Sequence, residues 1–159
     1  MKISILCVGK CREKYFADAV NEYVKRLSRY AKTEIIEVKD EKTPEDASEH
    51  EEDLIRETEG QRLLAKIPEN AYLICTAIDG KSYDSVGLSE HLSELMLKGE
   101  SHLAIVIGGS IGLSEEILQK ADEKWSFSKL TFPHQLMRVI LTEQLYRAFR
   151  IMNHEPYHK

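Results

Sequence analysis

Two stretches of this chain, 71–77 and 102–107, are apolar without polar alternation. A strand of that kind is stable only when both of its faces are covered, which points to a sheet with helices on each side. The rest of the sequence supplies the matching pieces. Lys2–Val8 reads as a first strand. Phe16, Ala19, Val20, Tyr23, Val24, Leu27 and Ala31 then recur at helical spacing. Residues 33–38 read as a second strand. After it, Thr43 is placed to cap a helix, Pro44 fits the first helical position, and Glu45 and Asp46 suit the positive end of its dipole. That helix is polar until Leu54, Ile55, Leu63, Leu64 and Ile67, so a narrow apolar stripe on a surface helix is expected. Asp79-Gly80-Lys81 is expected to turn the chain, 85–98 to form a short helix closed by Gly99, and Ser114 to cap the next. A brief strand over 125–128 and a long helix over 134–152 complete the pattern. Alternation of this kind predicts an α/β fold with a mostly parallel sheet flanked by helices, in one domain spanning 1–159.

At 159 residues the chain can bury a core without disulfides or metals. Cys7, Cys11 and Cys75 are an odd set with no C-x-x-C pair, which argues against a disulfide framework and a zinc site. Cys7 and Cys75 sit in apolar runs and read as small core residues. No apolar run approaches the roughly 18 residues that span a bilayer, and charged residues follow the first strand at once. A cytoplasmic protein without membrane or metal partners is expected. The net charge of −5 is unevenly spread. Residues 1–32 hold eight Lys/Arg against three Asp/Glu, and 123–159 hold six against three, whereas the middle is acidic. Both ends can therefore contribute to a basic face on an acidic protein; ordinary solvated helix faces explain the same numbers.

The strongest chemical signal is the fourth strand running into Gly108-Gly109-Ser110-Ile111-Gly112 and then a capped helix. Glycines let the backbone turn tightly and approach a ligand without a Cβ clash, and ligands of open α/β sheets sit beyond the carboxyl ends of the strands. The pattern is neither G-x-G-x-x-G nor a P-loop. Glu115 and Glu116 at the helix start disfavour a phosphate there, so a phosphate-free ligand suits the loop better. A purely structural turn fits equally. The end of the third strand, and the segment Trp125-Ser126-Phe127-Ser128-Lys129-Leu130-Thr131-Phe132-Pro133-His134, could line the same pocket. The tail Asn153-His154-Glu155-Pro156-Tyr157-His158-Lys159 is dense in titratable and aromatic groups for a chain end.

Taken in order, strand–Gly-Gly-x-x-Gly, W-S-x-S-x-x-T-x-P-H-x-L-x-R-V, L-x-E-Q-L-Y-R-A and a terminal P-Y-H resemble the RlmH family of SPOUT-class ribosomal RNA methyltransferases along the whole chain. The resemblance implies an α/β sheet with a deep C-terminal trefoil knot, a homodimer, and S-adenosylmethionine as cofactor. Carried over by position, cofactor contacts fall on Thr76, Gly108, Phe127, Ser128, Lys129, Leu130, Thr131 and Phe132. The implied product is N3-methylated pseudouridine in a stem-loop of large-subunit ribosomal RNA, made on the assembled ribosome. N3 of pseudouridine is an imide N–H that must lose its proton before attacking a methyl group, so positioning and proton handling are needed and a covalent nucleophile is not. His134, Tyr157 and His158 are the candidates for assisting deprotonation or holding the base, and Arg138 for orienting the RNA or a developing oxyanion. Members of the family often end in Arg, whereas Lys159 here keeps the charge without the bidentate fork. A related enzyme acting on another RNA, such as tRNA, and a non-catalytic ribosome-binding protein are the alternative readings.

Overall fold

Alternate side chains of the first strand leave on opposite sides, as strand geometry requires. Ile3, Ile5 and Cys7 enter one core and Leu6 and Val8 another, so each face of the sheet has its own apolar layer. The computed structural model describes residues 1–159. In chain order the elements are β1 (Lys2–Val8), α1 (Lys14–Leu27), β2 (Lys32–Val38), α2 (Glu49–Leu64), β3 (Tyr72–Ser82), α3 (Ser85–Leu97), β4 (His102–Ile107), α4 (Glu115–Lys120), β5 (Glu123–Ser126) and α5 (His134–Met152). The five strands lie in the order β2-β1-β4-β3-β5, and every pairing is parallel. The larger core joins the sheet to α1, α3 and α5, and the smaller one joins it to α2 and α4. No helix is long and apolar enough to cross a membrane.

The α/β expectation holds, and the differences are local. The second helix starts at Glu49, not at Pro44. Ser48 accepts the Glu51 N–H at 3.2 Å and donates to the Glu51 carboxylate at 3.1 Å, a reciprocal cap that outcompetes Thr43. Pro44 instead opens a turn closed by the Ala47 N–H at 3.2 Å. Asp79-Gly80-Lys81 does not turn the chain; β3 runs through it to Ser82. Its pairing with β5 jumps at Trp125, which faces Thr76 and then Lys81, so residues 77–80 bulge from the sheet. Gly80 allows this, because a Cβ there would stand 2.7 Å from the Lys124 and Trp125 backbone carbons. The last strand is Glu123–Ser126, two residues earlier than expected.

Candidate active site

The bulge, the end of β4 and the segment after β5 converge at the carboxyl edge of the sheet. Between them lies a mainly apolar cavity of about 300 Å³, at the lower end of the range for small-molecule pockets. Thr76, Gly108, Phe127, Ser128, Leu130, Thr131 and Phe132 line it, so all the expected cofactor residues meet there except Lys129, which is exposed beside it. Ala77 and Ile78 at the end of the expected third strand, and Trp125 at the head of the expected segment, also line the cavity; sequence reasoning missed Leu113, Leu118 and, on the first turn of α5, Met137. The bulge was hidden behind an ordinary turn signature.

Each wall has a local cause. Thr76 donates its hydroxyl to the Val106 carbonyl at 3.2 Å, tying β3 to β4 just below the cavity. The Ser126 hydroxyl donates to the Ser128 carbonyl at 3.2 Å, and the Ser128 hydroxyl accepts the Leu130 N–H at 2.9 Å. The two serines thus shape the segment and leave Phe127, Leu130 and Phe132 to supply apolar surface. Trp125 is buried, and its indole N–H donates to Glu123 at 2.7 Å, fixing the ring. In the glycine turn, a Cβ on Gly108 would lie 2.9 Å from the Gly112 carbonyl carbon, and Gly112 has φ +85°. Only glycine fits these two places without displacing the turn.

His134 lines the same cavity at the start of α5. Its Nδ1 is buried without a partner. Burial first, and the nearby Arg138 charge second, hold its pKa below the ordinary histidine value, while Asp40 opposes them. A neutral imidazole with an unused ring nitrogen is equipped to accept a proton.

Arg138, Tyr157 and His158 are not brought into this cavity. The Arg138 side chain is 1% exposed; it pairs with Glu37 at 2.6 Å and donates to the carbonyls of Val8 and Gly9 at 3.3 and 2.7 Å. It clasps the ends of β1 and β2 to α5, and any influence on the site passes through them. The tail folds back on the far half of α5. The Tyr157 hydroxyl donates to Glu143 at 3.0 Å, its ring lies under the Arg147 guanidinium at 4.6 Å, and His158 meets Arg147 at 3.3 Å. Glu143 and Arg147 lie roughly 14 and 20 Å along the helix axis from His134, at 1.5 Å per residue.

The fold and cavity together define an α/β protein with a ligand pocket at the carboxyl ends of its strands. Residues 1–158 match the family model described as "Predicted SPOUT methyltransferase", and the chain belongs to the SPOUT methyltransferase family. Curated relatives named "Ribosomal RNA large subunit methyltransferase H" are 56% identical in Clostridium novyi (strain NT), 54% in Clostridioides difficile (strain 630) and 53% in Enterococcus faecalis (strain ATCC 700802 / V583). Each alignment covers 100% of both chains. Among solved structures, a probable methylase family protein from Haemophilus influenzae Rd KW20 shares the fold with a TM-score of 0.52. That match, at 13% identity, covers 99% of this chain and 70% of the other.

Proposed function

We propose that this chain, acting as one domain, is an S-adenosylmethionine-dependent methyltransferase that methylates N3 of a pseudouridine in a stem-loop of large-subunit ribosomal RNA on the assembled ribosome. The observation that carries the reading is the cavity itself, which gathers Thr76, Gly108, Phe127, Ser128, Leu130, Thr131 and Phe132 from three separate segments beside an unpartnered imidazole. The full-length relatives named for large-subunit ribosomal RNA support the substrate class.

The residues present fit the cofactor. Phe127, Phe132 and Trp125 offer apolar and aromatic surface to an adenosyl group, and the glycine turn offers close backbone approach without a Cβ. The bound cofactor would supply an electrophilic methyl group. The chain's own residues then do the rest. The cavity walls exclude water and fix the cofactor's direction. His134 accepts the N3 proton of the base, leaving the nitrogen lone pair free for the methyl group. Arg138 acts at one remove, by holding the end of β1 against α5 beside His134.

The tail cannot serve the cavity of its own chain in this arrangement, so we place Tyr157 and His158 at the cavity of a second copy in a homodimer. The half-exposed apolar stripe of Leu136, Val139 and Ile140 on α5, beside half-buried Phe16 and Tyr23 on α1, supports an interface there. The C-terminal segment closes as the deep trefoil knot of the family, and Lys10, Arg12 and Arg147 meet RNA phosphates. Two measurements test the proposal. Mass spectrometry of large-subunit ribosomal RNA from a deletion strain should show an unmethylated pseudouridine; an unchanged modification pattern would refute the substrate. Calorimetry should show S-adenosylmethionine binding, and its absence would leave only a ribosome-binding protein.

A further inference from the structure

The inner face of α2 is where the sequence looked least informative. Arg56, Glu59 and Gly60 are spaced i, i+3 and i+4, so they share one side of the helix. All three meet the segment that begins with the glycine turn. Arg56 Nη1 donates to the Ile111 carbonyl at 3.2 Å. A Cβ on Gly60 would stand 2.4 Å from the Ser114 hydroxyl, so the helix packs directly on the end of the turn. Between these contacts, Glu59 Oε1 lies 3.5 Å from where a Cβ on Gly109 would be.

Glu59 is only 4% exposed. Its Oε2 accepts the Glu41 N–H at 3.0 Å, but its Oε1 is buried with no donor. Across from it the turn has the opposite shortage. The Gly112 N–H donates to the Gly109 carbonyl at 3.1 Å within a Gly109–Gly112 bridge, while the amides of exposed Ser110 and half-buried Ile111 have no partner in the chain. The buried orphan is therefore Glu59 Oε1, which lies against a turn that still has amides to offer, and buried polar groups rarely stay without a partner.

We propose that Glu59 is a positioning residue for the methyl-transfer site, whose free oxygen accepts an N–H of the 109–111 turn when that turn closes on S-adenosylmethionine. Its other oxygen carries the same constraint to the backbone after β2, where Asp40 lies over Gly9 and near His134. One carboxylate then couples the cofactor turn to the strand ends bordering the proton acceptor. This inference rests on the cofactor reading given above.

The groups facing Glu59 set its pH behaviour. Burial raises its pKa, Asp40 and Glu41 add to the rise, and the Glu41 N–H and Arg62 on its own helix oppose it. Gly109, Val8 and Ser114 bring no charge. Accepting an N–H favours the ionised form, so cofactor affinity should be full at higher pH and fall as pH drops through the raised value.

Calorimetric titration of the full-length protein with S-adenosylmethionine across pH tests this. Glu59→Gln should keep the Glu41 contact but turn an amide donor toward the amides of the turn. About tenfold weaker binding and a flattened pH dependence are expected, with kcat per bound cofactor much less affected and thermal stability confirming the fold. Unaltered affinity and slope in Glu59→Gln, with normal binding by the wild type, would overturn the inference alone. Absent binding by the wild type at every pH would overturn the cofactor reading and the inference together. Should Glu59→Gln not fold, the His134→Asn protein decides, since the imidazole then contributes nothing. Proton release on cofactor binding, read in buffers of different ionisation enthalpy, supports the role of Glu59; binding without proton release overturns it.

Discussion

Arg138 and His134 sit one turn apart at the start of α5 and illustrate two uses of a buried polar group. The two terminal nitrogens of the guanidinium are held by Glu37 and two carbonyls, leaving only Nε without a partner, while the imidazole keeps Nδ1 unused beside the cavity. Replacing Arg138 by Met should therefore cost stability, because Val8 and Gly9 lose their donor while Glu37, being partly exposed, can rehydrate. A loss of about 2–4 kcal/mol in urea denaturation is expected, with Lys recovering only part of it. His134 should show itself in kinetics. Its folded pKa is lowered by burial and by Arg138, so the neutral, proton-accepting form prevails above that value and is lost as pH falls through it. Measured for the ribosome at saturating S-adenosylmethionine, the acid limb of kcat/KM against pH should then lie below the ordinary histidine range and disappear in His134→Asn. An unchanged limb would assign it to another group. The sequence announced both residues, but not which faces inward, since that depends on Glu37 from a strand 101 positions away.

At the level of elements, the strands and α5 were readable because burial on both faces of a sheet leaves continuous apolar runs, and α5 starts and ends where its pattern does. The start of α2 was not, because two capping signals lie five residues apart and the reciprocal Ser48–Glu51 pair wins locally. The 77–80 bulge was unreadable for a different reason: Gly80 is required by the approach of β5, a strand from another part of the chain. The polar face of α2 likewise gains meaning only from the turn it meets. The tail is an element held by side chains. Arg150 pairs with Glu155 and donates to the Pro156 carbonyl at 2.7 Å, which sets Tyr157 against Tyr146 and Glu143. Deleting residues 154–159 should leave cofactor affinity by calorimetry unchanged, since none of them lines the cavity. Turnover on ribosomes should fall by about 100-fold or more if the tail positions the base. A parallel loss of cofactor affinity would mean that the tail supports the cavity instead.

For the whole molecule, the separation of the tail from its own cavity is what the proposed homodimer has to bridge. A tail bound to Glu143 and Arg147 lies roughly 14–20 Å along α5 from His134, whereas the proposed homodimer would bring each tail to the other's cavity. Mixing two inactive variants distinguishes these arrangements. Gly108→Ala drives a Cβ to 2.9 Å from the Gly112 carbonyl carbon, which should spoil the cavity and leave the tail intact. Tyr157→Ala spoils the tail and leaves the cavity intact. If each tail serves its own chain, neither chain of a mixed dimer has both parts, and the mixture stays inactive. If tails cross a two-fold axis, the mixed dimer holds one complete site, made from the cavity of the Tyr157→Ala chain and the tail of the Gly108→Ala chain. Random reassortment should then restore roughly a quarter of the wild-type activity. Methyl incorporation into ribosomes, measured after the two proteins are unfolded and refolded together, gives the answer. Recovery requires the crossed arrangement, and an inactive mixture containing dimers of both kinds of chain would rule it out.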